Sequence, residues 1–213
     1  MPRITYKRDF RNISNFDLSH SEDVGELSYL YNKKEIRHLL REDFGDRCLY
    51  CGWDLFSYGG NYPHIEHLIS QKSDEGKTLV DTYRNLVLSC SICNTTKRNN
   101  EIDPNYFPYK KDYRKIMYRT SFGAIVPNRD VTKEEQEAAQ KIIKTIGLNK
   151  EIHKLDYVID SLGIVKEKIK LAHNGNKYDS KQLFDKYLEV DRVIDVLKRL
   201  CIRNSGFSIE EDV

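Results

Sequence analysis

Residues 48–97 read CLYCGWDLFSYGGNYPHIEHLISQKSDEGKTLVDTYRNLVLSCSICNTTK, with Cys48-x-x-Cys51 and Cys90-x-x-Cys93 bracketing His64-Ile65-Glu66-His67 and Asn85-Leu86. Four thiolates are enough to close a tetrahedral zinc site with no position left for water. The pattern therefore predicts a structural ion that clamps the ends of a segment too polar and loop-rich to hold a fold by burial alone. A redox dithiol pair and unliganded core cysteines are the alternatives. Four of the five cysteines fall in these pairs, which in a reducing compartment favours metal over disulfide. The fifth, Cys201, reads as a small buried apolar residue.

Working outward, Ile36, Leu39, Leu40 and Phe44 lie on one helical face, and Gly45 is a plausible stop. That helix delivers the chain into the first cysteine pair, where Gly52 suits a tight knuckle with positive φ. Tyr58 to Asn61 contains a Gly-Gly turn, and Pro63 to Ile69 reads as a strand with Ile65 on one face and Glu66 on the other. Ser70 to Thr82 reads as a long loop. Leu86 to Leu88 give a second strand, and a helix from Ser91 carries Asn94, Lys97 and Arg98. Residues 1–25 are weakly patterned and read as an extended arm.

Beyond Pro108, a short strand is expected at Phe122 to Val126. Thr132 with Glu135 forms a capping box for a helix that Gly147 can cap. A second helix is expected from Lys150 to Ala172, weakened at Gly163, and a third opens at Ser180. The apolar residues of these helices recur at helical spacing and suggest a packing or docking lobe.

The chain of 213 residues has a formal net charge of +2, so its overall field says little about a nucleic-acid partner. Between Ser91 and Arg119, however, seven basic residues face three acidic ones, with Tyr106, Tyr109, Tyr113 and Tyr118 interleaved. Those tyrosines could stack on bases or simply pack. No apolar run approaches the roughly 20 residues that cross a bilayer, and the N-terminal residues lack a signal-peptide core. The expectation is a soluble, cytoplasmic protein with no membrane partner.

Inside the cysteine clamp the residues change type. Glu66 offers a hard oxygen, His67 an imidazole that titrates near neutrality, and Asn85 and Asn94 offer amides. An oxygen-ligated cation together with a neutral imidazole is what a one-metal phosphodiester hydrolase needs. The series Glu66-His67, Asn85-Leu86 and Cys90-x-x-Cys93-Asn94-x-x-Lys97 resembles the HNH endonuclease motif in its four-cysteine form, over about a quarter of the chain. The resemblance implies a ββα-metal core in which His67 is the general base and Asn85 braces the loop that orients it. It also implies that Glu66 and Asn94 hold Mg2+ or Mn2+, because an all-oxygen pair favours those ions over Zn2+. Lys97, Arg98 and Lys72 are candidate phosphate or DNA contacts. His64 is a weaker candidate for a direct role, whereas His20, His38, His153 and His173 read as structural or solvent-facing.

A narrower likeness rests on Ile65-Glu66-His67 with Lys72, on Gly123-x-Ile125, and on the helix ending Ile146-Gly147-Leu148-Asn149. These are similar to the HNH component of Septu-type antiphage systems, including those beside retrons, and the likeness implies an ATPase partner protein. The expected fold is α+β, with an N-terminal arm and helix (1–45), a nuclease core (46–105) and a mainly helical C-terminal lobe (106–213). The expected activity is metal-dependent hydrolysis of DNA in antiphage defence. A catalytically silent zinc-organised binding module, or an HNH nuclease acting on RNA, are the alternatives.

Overall fold

A computed structural model describes residues 33–55, 63–79, 82–107, 111–174 and 180–204. The expected N-terminal arm and Gly-Gly turn lie outside the described residues.

Helix α1 (Lys33–Phe44) buries Ile36, Leu40 and Phe44, which recur every four residues on one face. Each such burial contributes about 1.5–3 kcal/mol relative to exposure. Gly45, at φ +54°, ends the helix. The chain then folds into a tight knuckle: Cys48 N donates to Trp53 O and Gly52 N to Cys48 O, both at 2.9 Å, with Gly52 at φ +74°. Leu49 N donates to Leu88 O at 2.9 Å, which draws the first cysteine pair towards the second.

Strands β1 (His64–His67) and β2 (Leu86–Ser89) pair antiparallel, with Ile65 opposite Leu88 and His67 opposite Leu86. Every residue of β2 is buried. The first strand is shorter than the expected 63–69, because past Leu68 the Asn85 side chain takes over the pairing. The span expected as one long loop contains a short helix, α2 (Asp74–Thr78), whose cap is Ser73 Oγ accepting from Gly76 N at 3.1 Å. Its DEGKT sequence has no apolar periodicity, so only the cap and the packing of Gly76 betray it. A Cβ on Gly76 would come within 1.9 Å of Ser70 O, so the helix sits directly on the chain leaving β1. A 3-10 turn at Tyr83–Asn85 leads into β2.

Helix α3 (Ser91–Lys97) starts at Cys90, whose Sγ accepts from Cys93 N at 3.3 Å, and ends at Arg98 with φ +50°. It packs on β1. The two strands and α3 form the ββα core of an α+β fold, as expected.

Downstream, a helix that apolar spacing did not reveal, α4 (Lys111–Ile116), runs into β3 (Met117–Arg119). This strand pairs antiparallel with β4 (Ile125–Pro127). The expected strand at 122–126 is therefore displaced: Phe122 is 82% exposed in the connecting turn, and Gly123 takes φ +82°. Helix α5 (Lys133–Ile146) carries the expected capping box of Thr132 and Glu135 and is closed by Gly147 at φ +71°. Helix α6 (Glu151–Asn174) continues unbroken through Gly163 and packs along α7 (Ser180–Asn204). Cys201 is buried, as its apolar neighbours suggested. Among the described residues no helix is long and apolar enough to cross a membrane.

Candidate active site and cysteine cluster

The knuckle, β2 and the start of α3 bring Cys48, Cys51, Cys90 and Cys93 together, all buried, with sulfurs within 4.8 Å of one another. A zinc–sulfur bond of about 2.3 Å in a tetrahedron separates sulfurs by about 3.8 Å. Cys51 and Cys90 are 3.8 Å apart, so the cluster fits zinc in donor type and spacing. Burial pushes the thiols of Cys51, Cys90 and Cys93 up. At Cys48 the same burial is outweighed by hydrogen bonds from the other three cysteines, which draw that thiol well down. Without a dication, four buried sulfurs cannot all ionise.

Glu66 is only 5% exposed. Lys97 Nζ donates to Glu66 Oε1 at 2.6 Å and to the His67 carbonyl at 3.1 Å. Tyr50 Oη donates to Glu66 Oε2. Burial pushes the Glu66 carboxyl up, against the Lys97 charge and these hydrogen bonds. Tyr50 is held well above its ordinary value by burial and then by the Glu66 charge.

Lys97 was expected at a phosphate, but it has no exposed surface. In this arrangement it neutralises Glu66 and ties α3 to β1. Removing one partner of such a pair costs about 3–5 kcal/mol, because the other charge is left buried and unpaired.

The same contact bears on the catalytic cation expected at Glu66 and Asn94. Asn94 is half-buried on α3, one turn before Lys97. With a lysine ammonium on one Glu66 oxygen and a tyrosine hydroxyl on the other, the carboxylate has no net charge to offer. The residues as arranged do not fit a divalent cation at Glu66.

His67 is 8% exposed, and the side-chain nitrogen of Gln71 lies 2.9 Å from its Nε2 and 3.0 Å from its Nδ1. Regular strand alternation would put Glu66 and His67 on opposite faces, yet both are buried here. Asn85 uses its side chain as one more rung of the sheet: Oδ1 accepts from Ile69 N at 2.8 Å and Nδ2 donates to Ile69 O at 3.1 Å. Its main-chain carbonyl accepts from Leu68 N at 2.9 Å. Asn85 thus holds both main-chain groups of the residue two beyond His67. Asn85→Ala is expected to cost about 1–3 kcal/mol from the polar groups left unsatisfied, measurable in a urea melt, with Asn85→Asp keeping only the acceptor half.

Lys72 and Arg98 are exposed. The turns that carry them are joined where Ser70 Oγ donates to Asn99 Oδ1 at 3.4 Å. Of the four interleaved tyrosines, Tyr113 is fully buried and packs, Tyr106 and Tyr118 are half-buried, and Tyr109 lies outside the described residues. Arg119 is also buried, donating to Gly123 O at 3.1 Å and lying 5.1 Å from the Tyr157 ring centre. Of the described basic side chains of this stretch, Lys97 and Arg119 are therefore withdrawn from the surface, and Arg98 and Lys115 remain on it.

His64 is held below the ordinary imidazole value by burial and then by the Arg37 charge. His38 is exposed beside Glu42, and His173 is exposed at the end of α6. His20 lies outside the described residues. Sequence reasoning passed over Tyr50, Gln71 and the burial of His153. Tyr50 had a signal, since it sits between two metal-ligand candidates, and Gln71 follows His67 by four residues. His153 had none.

Residues 48–100 of the 213, which hold the ββα core and its four cysteines, match the family model of the HNH endonuclease domain. That domain supports nuclease chemistry on a nucleic acid in general. No curated protein matches the chain.

Proposed function

We propose that the protein is an endonuclease that hydrolyses DNA phosphodiester bonds, with His67 as general base and Asn85 as the brace of its loop. The observation that carries this reading is the placement of His67 at the end of β1, next to main chain that the Asn85 amide fixes on both sides. A neutral His67 takes a proton from a water aligned with the phosphorus. For that water to reach the ring, the Gln71 carboxamide must turn aside. Gln71 is exposed, so the movement costs little. Lys72 and Arg98, on their adjoining turns, are the groups positioned to hold flanking phosphates. The products implied by the family resemblance carry 5′-phosphate and 3′-hydroxyl ends.

Dependence on Mg2+ or Mn2+ belongs to the proposal, and it requires that the Glu66–Lys97 pair open, since Glu66 is otherwise neutralised. An antiphage role with an ATPase partner extends it, supported by the likeness around Glu66-His67, Gly123-x-Ile125 and Ile146 to Asn149. Two of those segments also have local structural work: Asn149 Oδ1 accepts from Ile125 N and its Nδ2 donates to Ile125 O, both at 2.7 Å. A Cβ on Gly123 would lie 3.0 Å from the Tyr157 ring.

One observation favours a second reading. A Glu66 permanently neutralised by Lys97 suits a zinc-organised binding module that no longer cleaves. Supercoiled plasmid separates the two: the nuclease nicks it in Mg2+ or Mn2+, loses activity in chelator, and regains it with those ions but not with Zn2+. If no cleavage occurs under any of these conditions, with or without the protein's co-purifying partners, the nuclease reading fails.

A further inference from the structure

Cys93 and His153 are 60 residues apart in sequence, yet Cys93 Sγ and His153 Nε2 lie 3.6 Å from one another. Both side chains are buried, Cys93 at 0% and His153 at 1% exposure. The His153 ring meets Trp53 edge-on, with centres 6.2 Å apart and planes at 89°, which fixes its orientation. Trp53 itself follows the first cysteine pair and is fully buried.

Two further contacts pin the turn between α5 and α6 to α3. Lys150 Nζ donates to Thr96 Oγ1 at 2.6 Å. Gly147 lies so close to Thr96 that a Cβ there would come within 2.9 Å of its methyl group. The start of α6 is thereby registered against the helix that carries Cys93.

We propose that His153 is a positioning residue of the cysteine cluster: its Nε2–H donates to the Cys93 sulfur and makes the C-terminal helices part of the metal site. The inference rests on the zinc reading of the cluster. Four thiolates around a dication carry a net charge of about −2, and a buried cluster of that charge is stabilised by N–H donors aimed at its sulfurs. The Cys93 amide points at Cys90 Sγ. The imidazole supplies a comparable donor to Cys93 from an element outside residues 48–100. Partners of this kind orient metal ligands and typically change metal affinity by about 10–100-fold.

The full chain loaded with cadmium-113 tests this by nuclear magnetic resonance. A cadmium resonance typical of four sulfurs, correlated through Cys93 Sγ to the His153 ring N–H, is the expected result. A four-sulfur resonance with no correlation to His153 overturns the inference alone, and the absence of a four-sulfur resonance overturns the zinc reading together with it. Variants give a second readout. His153→Phe keeps a ring against Trp53 but removes the donor, and should release zinc to a chelator roughly 10–100-fold faster. His153→Gln, which retains an N–H donor, should recover part of that loss. A folded His153→Phe protein that releases zinc at the wild-type rate would overturn the proposal. If that variant does not fold, the cadmium measurement on the unaltered chain decides.

Discussion

Cys90→Ser is expected to unfold the ββα core, with loss of bound zinc and of the cooperative thermal transition. Structural zinc contributes about 10–16 kcal/mol of apparent binding free energy in small metal-organised domains. A typical domain is stable by only about 5–15 kcal/mol in total. Loss of one ligand therefore removes a large share of what holds this segment together. Cys90 is an acute position because it does two jobs: its sulfur belongs to the cluster and also accepts from Cys93 N to start α3. Serine can still cap the helix but is a poor partner for zinc beside three thiolates.

Cys201→Ser is the matching control, since Cys201 is equally buried but lies outside the cluster. It should lower the melting temperature by only a few degrees. Circular-dichroism melts with metal analysis on both variants test the assignment. A Cys90→Ser protein that melts like wild type while holding no zinc would show that the cluster does not carry the fold.

His67→Ala is expected to leave the protein folded and to reduce the cleavage rate by about 10²–10⁴-fold, the usual contribution of a positioned general base. The fold should tolerate the change because Gln71, whose side-chain nitrogen lies against the ring, is exposed and can return to solvent. Main-chain pairing of His67 with Leu86 does not depend on the side chain. Single-turnover nicking of plasmid, alongside a melt, separates chemistry from stability. Activity within a factor of two of wild type would remove His67 from the mechanism.

The two variants bear on different sites of one small unit. Cysteines close a site that substrate should never enter. His67 must remain reachable by water. Helix α3 contributes to both: Cys93 near its start belongs to the sulfur cluster, and Lys97 at its end donates to the His67 carbonyl.

Much of this was legible from residue type and spacing. Two Cys-x-x-Cys pairs in a short segment have few physical uses, and a glycine after the second cysteine announces a knuckle. The same holds for the capping box at Thr132 and Glu135 and the glycine stop at Gly147, whose hydrogen bonds span only a few residues. Interactions of short range leave their pattern in neighbouring letters. The short helix at Asp74–Thr78 escaped because five polar residues have no periodicity, and a single Ser73 cap with a close glycine contact decides it.

The chain by itself determined which atoms were available: four sulfurs, one imidazole next to a carboxylate, and an asparagine at the end of the intervening loop. Tertiary structure alone decided which of these charges are neutralised and which reach water. Lys97 reads in sequence as a cation for phosphate, and the fold buries it against Glu66, 31 residues away. His153 reads in sequence as structural or solvent-facing, and the fold places it against Cys93, 60 residues away. Burial and partner choice over such separations depend on how β1, α3 and α6 meet. Because an unpaired buried charge is so costly, that meeting sets the role of each group more strongly than its own chemistry does.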